Sequence, residues 1–154
     1  MSRYADQTQV SSDRSRAEIE RTIQRYGADS FMYGWDGDCA IVEFRMKWTI
    51  RFRLPLPNRN DEAFTLTETG RERSESAALL AYEQAVRQRW RALALVIKAK
   101  LEAVESGITE LEREFLAHIV LPDGRTMGDH IVPQLERALE SGAAPPMLPQ
   151  GRGR

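Results

Sequence analysis

A chain of 154 residues with 42% hydrophobic and 29% charged side chains fits one soluble globular domain large enough to bury a core. Its single cysteine, Cys39, excludes an internal disulfide and a cysteine-based metal cluster within one chain, and its longest apolar run, Ala92–Ile97, is far too short to span a bilayer. A net charge of −1 argues against a generic polyanion binder, but the charge is uneven: residues 1–38 hold 5 basic and 7 acidic groups, residues 39–100 hold 12 and 7, and residues 101–154 hold 5 and 9.

Residues 1–13 are polar, lack the apolar stretch of a secretory leader and are expected to be mobile, so the chain reads as cytoplasmic. Ser15-Arg16-Ala17-Glu18 has the capping-box pattern, Ile19, Ile23 and Tyr26 share a helical face, and Gly27 fits just past a helix end. Together they predict a helix over 16–26. Aromatic-rich Phe31–Trp35 reads as a strand, and Asp36-Gly37-Asp38 as a turn with Gly37 at positive φ.

The most regular stretch is Ala40–Leu54. Even positions are apolar, Trp48 among them, and the odd positions from Glu43 onward are polar. This is the period of a strand with one buried face. One strand of that length would run about 50 Å, so a hairpin turning near Met46–Trp48 is expected. Only an odd-numbered loop keeps the apolar set on one side. The prediction is a three-stranded antiparallel meander over 30–36, 39–45 and 49–54, ended by Pro55 and Pro57.

Residues 55–75 are polar and aperiodic, apart from Phe64 and Leu66, which suggest a short edge strand. A long helix over 76–105 follows, capped by Ser74 or Ser76, with Gly107 beyond its end and a stripe from Leu79 to Val104. Around Ala92–Ile97 it is apolar on nearly all sides, so it needs cover on more than one face, from the sheet and from the next helix or a second subunit. Thr109-Glu110-Leu111-Glu112 predicts a third helix with Leu111, Phe115, Leu116 and Ile119 inward. After the turn Leu121–Gly124 comes a last helix to about Leu139, with Pro133 in or near its first turn. The Pro/Gly-rich tail 141–154 is expected to be disordered. The fold class is therefore α+β, with one domain over 14–140.

Three groups of side chains could carry function. Arg45, Lys47, Arg51 and Arg53 fall on the wet sheet face, where spaced cations can meet successive phosphates, and Tyr33, Trp35 and Trp48 lie near enough in sequence to stack on bases. The same residues equally suit an ordinary solvated sheet face. Arg87, Arg91 and Lys98 fall on one side of the long helix, again either an anion-binding row or a solvated face balanced by Glu83 and Glu102. His118, Asp123, Asp129 and His130 flank a turn and could hold a divalent metal or act as acid and base, although Asp129 is also explained as a helix N-cap. Nucleotide-binding loops and hydrolase elbows are absent from the sequence.

The stretches RYGADSFMYGW, VRQRWRALALVIKAKLEAVESGI and EFLAHIVLPDGRTMGDHI resemble a group of short, uncharacterised phage- and prophage-encoded proteins, which implies a phage or prophage context. The order helix, meander, long basic helix over residues 15–105 is also similar to the core of the single-strand annealing recombinases. The matching positions are the alternation at Cys39–Leu54 and the helix Tyr82–Lys100. That resemblance implies a basic groove between sheet and long helix, and assembly into rings. The resulting expectation is a non-catalytic, nucleic-acid-associated protein that binds or anneals single strands as a homo-oligomer, with no cofactor, metal or membrane partner. The alternatives are a protein-binding accessory factor for host takeover or anti-defence, and a small metal-dependent enzyme using His118, Asp129 and His130.

Overall fold

The computed structural model describes residues 8–143. The expected mobile start and disordered tail lie largely outside that range. Where the two can be compared, Ser12 already opens the first helix and Ser141 closes the last.

Helix α1 spans Ser12–Arg25. Its N-cap is Ser11, whose hydroxyl accepts from the Arg14 amide at 3.2 Å, so the helix begins one turn before the predicted Ser15 cap. The earlier start puts Ser15 inside the helix, on the buried face shared with Ile19, Thr22 and Ile23. Gly27, at φ 97°, lets the Ala28 amide turn back to the Ile23 carbonyl at 2.9 Å and close the helix end.

Strands β1 (Ser30–Asp36), β2 (Cys39–Arg45) and β3 (Thr49–Pro55) form an antiparallel sheet in that order. Asp36 pairs with Cys39 and Arg45 with Thr49, leaving a three-residue loop at Met46–Trp48, as the parity argument requires. Val42, Phe44, Ile50, Phe52 and Leu54 are buried as expected. Trp48 is not: at 41% exposure it caps the loop, because a residue between strands no longer follows the pleat.

Phe64 lies in the helical turn α2 (Glu62–Thr65) rather than in an edge strand, and is buried edge-on against Tyr82 with ring centroids 5.8 Å apart. Leu66 does pair, in a single bridge to Glu72. Helix α3 runs from Glu75 to Glu105 behind the Ser74 cap. Trp90, Leu93, Ala94, Ile97 and Leu101 join the even-numbered sheet residues and Ile19 and Ile23 in one core. The cover expected for Ala92–Ile97 comes from the sheet and α1, and Val96 stays exposed.

The predicted helix over 109–119 is replaced by one turn, α4 (Leu111–Glu114), and a 3-10 turn at Leu116–His118. The Thr109 cap is not used, since Glu110 takes the N-cap position. The competing interaction is the open edge of β3: Ile119 bridges Ile50 and the Val120 amide donates to the Thr49 carbonyl at 2.8 Å. Phe115 and Ile119 are buried as expected, but the break turns Leu116 outward.

Helix α5 spans Met127–Ser141 behind a full capping box between Thr126 and Asp129. Pro133 sits in its second turn, not its first. Proline has no amide to offer the Asp129 carbonyl one turn back. The Arg125 side chain supplies that donor at 3.1 Å. The α+β class, with its initial helix, meander, long helix and C-terminal helices, is as the sequence predicts.

Candidate functional site

The sheet buries its even-numbered face under α1 and α3, so Arg45, Arg51 and Arg53 project from the opposite face. Register sets that face in rows: Ser30, Arg45 and Thr49; Met32, Glu43 and Arg51; Gly34, Ile41 and Arg53; Asp36, Cys39 and Pro55. Arg45 Nε donates to Asp29 Oδ1 and Arg51 Nε to Glu43 Oε2, each at 2.8 Å. Arg51 also donates to the Gly124 carbonyl at 2.8 Å, which ties the sheet to the turn before α5. Lys47 pairs with Glu112, and this ammonium is the leading reason the Glu112 carboxyl is held below its ordinary range. Arg53 is exposed and stands outside these pairs. With Asp36 on the same face, the arginines are balanced by carboxylates, and the sheet offers no strongly cationic surface.

The second predicted row is on the other side of the sheet. Arg91 is paired with Glu18 of α1, and Arg87 donates to the Gln84 side-chain oxygen. Lys98 is exposed. Because α3 covers the buried sheet face, this row and the sheet arginines do not line a common groove.

The third group separates into three local roles. His130 Nε2 lies 2.7 Å from Asp123 Oδ2. Asp129 closes the capping box, and the Thr126 amide is the main reason its carboxyl sits low. His118 stacks on Phe52 at 4.0 Å, and burial, followed by the nearby Lys100 charge, pushes its pKa down. Among the described residues, no three His, Cys, Asp or Glu side chains converge as a metal site would require. An open groove of about 450 Å³ between β3 and α5 does bring Arg51, Arg53, His118 and Asp129 together. Apart from Arg53, each of these is engaged in the contacts above.

No family model, curated protein or solved structure matches the chain. Among the described residues, no helix is long and apolar enough to cross a membrane.

Two apolar surfaces are exposed; sequence reasoning missed the first and singled out Tyr33 and Trp35 of the second. Along amphipathic α5, Met127, Ile131 and Ala138 are half-buried and the helix packs on the Leu116–His118 turn, whereas Val132, Leu135 and Leu139 are exposed, Leu139 at 76%. On edge strand β1, Met32 is 60% and Trp35 69% exposed, and Tyr33 is exposed beside them. The periodicity of α5 is visible in the sequence. The exposure of Val132, Leu135 and Leu139 is not, because an amphipathic pattern is normally read as one face of a core.

Proposed function

We propose that this chain is a non-catalytic protein-binding factor that seats α5 in the groove of a partner, within the phage or prophage context implied by its sequence resemblance. The observation that carries the reading is the exposed stripe of Val132, Leu135 and Leu139 on a 15-residue amphipathic helix with no buried residue. Leaving such a stripe in water forgoes hydrophobic stabilisation that a complementary apolar groove would recover. Glu136, Arg137 and Glu140 lie in the same part of the helix, so a groove with an apolar floor and a mainly cationic rim is the matching surface. The test uses the tagged chain and a Leu135→Asp/Leu139→Asp variant as baits in nuclease-treated host lysate, with the captured protein then purified and titrated calorimetrically. Wild-type chain should bind it stoichiometrically and the variant should lose it. Equal capture by both baits would defeat the proposal.

A second reading, association with single-stranded nucleic acid, is supported by the exposed Arg53 and Lys98 and by aromatic rings at Tyr33 and Trp35 on which bases can stack. Fluorescence anisotropy over a salt series tests it. Binding through Arg45, Arg51 and Arg53 should weaken with salt at a log–log slope of roughly −0.7 per phosphate, and replacing all three with Ala should flatten that slope. Absence of binding at low ionic strength would remove this reading.

A further inference from the structure

We infer that two copies of this chain join through β1, edge to edge about a two-fold axis at Tyr33, to make one six-stranded antiparallel sheet. The inference is independent of the α5 reading.

Strand β1 is the free edge of the sheet: only β2 pairs with it among the described residues. It is seven residues long, and Ser30–Asp36 contains no proline and no lysine, so it lacks the usual devices that discourage edge pairing. Its outward amides and carbonyls are a ready template for another strand.

The sequence of β1 is complementary to itself. A two-fold axis through Tyr33 pairs all seven residues, Ser30 with Asp36 of the second copy through to Asp36 with its Ser30. Residues of like parity meet, so each face continues across the junction. Phe31, Tyr33 and Trp35 lie on the helix side, opposite Phe44, Val42 and Ala40 of β2. In the dimer each Phe31 would stand across from a Trp35, and the two Tyr33 rings would meet at the axis. This extends an aromatic run already present, in which Trp35 lies edge-on to Tyr33 at 6.2 Å and Tyr33 edge-on to buried Trp90 at 6.4 Å.

Gly34 supplies an independent argument. Glycine weakens a strand interior, and nothing among the described residues requires it: its φ is not positive, and a Cβ there would meet none of their atoms within 4 Å. In the paired register Gly34 lies opposite Met32 of the second copy, on the open face, and leaves space for that long side chain. The single charge of β1, Asp36, would lie beside uncharged Ser30 of the other copy, in the row that runs on through Arg45 to Thr49, so no like charge faces it directly across the junction.

The test is sedimentation velocity on the full chain from low to high micromolar concentration, with hydrogen exchange of the β1 amides measured at both limits. The expected result is a species of twice the 17.6 kDa chain mass at high concentration, with β1 amides protected more strongly there than in dilute solution. Met32→Lys/Trp35→Lys alters two exposed side chains. It should leave the circular dichroism spectrum unchanged and shift the protein to monomer. Leu135→Asp/Leu139→Asp on α5 should remain dimeric. A monomer at every concentration would overturn the inference. So would a dimer that survives the β1 variant, one lost only in the α5 variant, or β1 exchange that does not respond to concentration.

Discussion

Replacing Phe52 with Ala would remove the centre of an aromatic cluster that joins the sheet to the C-terminal segment. The buried Phe52 ring stacks with Phe44 at 6.5 Å, meets Phe115 edge-on at 6.1 Å and supports His118 at 4.0 Å. Loss of a buried phenyl group and the cavity it leaves costs about 3–5 kcal/mol. Each lost aromatic pairing contributes to that figure on the order of 0.5–1.5 kcal/mol beyond buried area. A domain is stable by only about 5–15 kcal/mol, so the variant should fold but with little margin. Urea unfolding, followed by fluorescence of the buried Trp90, is the assay. With a denaturant slope of about 2 kcal/mol/M, the midpoint should fall by roughly 2 M at unchanged slope. Loss of less than about 1 kcal/mol would mean that the even-numbered face of β3 does not anchor the core, and the register argument would fail with it.

Three further outcomes can be checked on the same protein. The hydroxyl of Ser15 is buried with no hydrogen-bond partner among the described residues, so Ser15→Ala should raise stability by about 1 kcal/mol, and a loss would show that the hydroxyl is satisfied. Gly128→Ala favours the helix by propensity, but its Cβ would lie 2.8 Å from the Ala117 carbonyl oxygen. The clash should prevail and cost about 1–3 kcal/mol, measured as a lower melting temperature. Because His118 has a lower pKa folded than unfolded, its contribution is fully present above the unfolded value near 6.5 and is lost as pH falls through the folded value. NMR titration should place its midpoint below 6.5, and His118→Gln should flatten stability against pH in that window.

Much of the architecture was legible because it depends on short-range rules. Alternation at Ala40–Leu54 marked the buried face, and parity required the odd loop that pairs Arg45 with Thr49. Ser74 and the glycine after α3 marked that helix at both ends. Errors came where two local signals competed or a distant partner intervened. Ser11 and Ser15 both suit a helix cap, and the earlier one adds a turn that brings Ser15 onto the buried face. The segment after Thr109 has a helical pattern, but the open edge of β3 takes Ile119 and Val120 instead.

The candidate surfaces were less legible. Sequence determined which side chains would reach water on the sheet, because a strand's period needs only neighbouring residues. Tertiary structure decided whether those side chains stayed available. Arg45 meets Asp29 sixteen residues away, Lys47 meets Glu112 across 65, and Arg51 and Arg91 reach partners across 73. Coulomb attraction and hydrogen bonding act through space, and the fold alone sets those distances. The same holds for α5: its amphipathic stripe is written in its own residues, but its exposure depends on where the remaining elements pack.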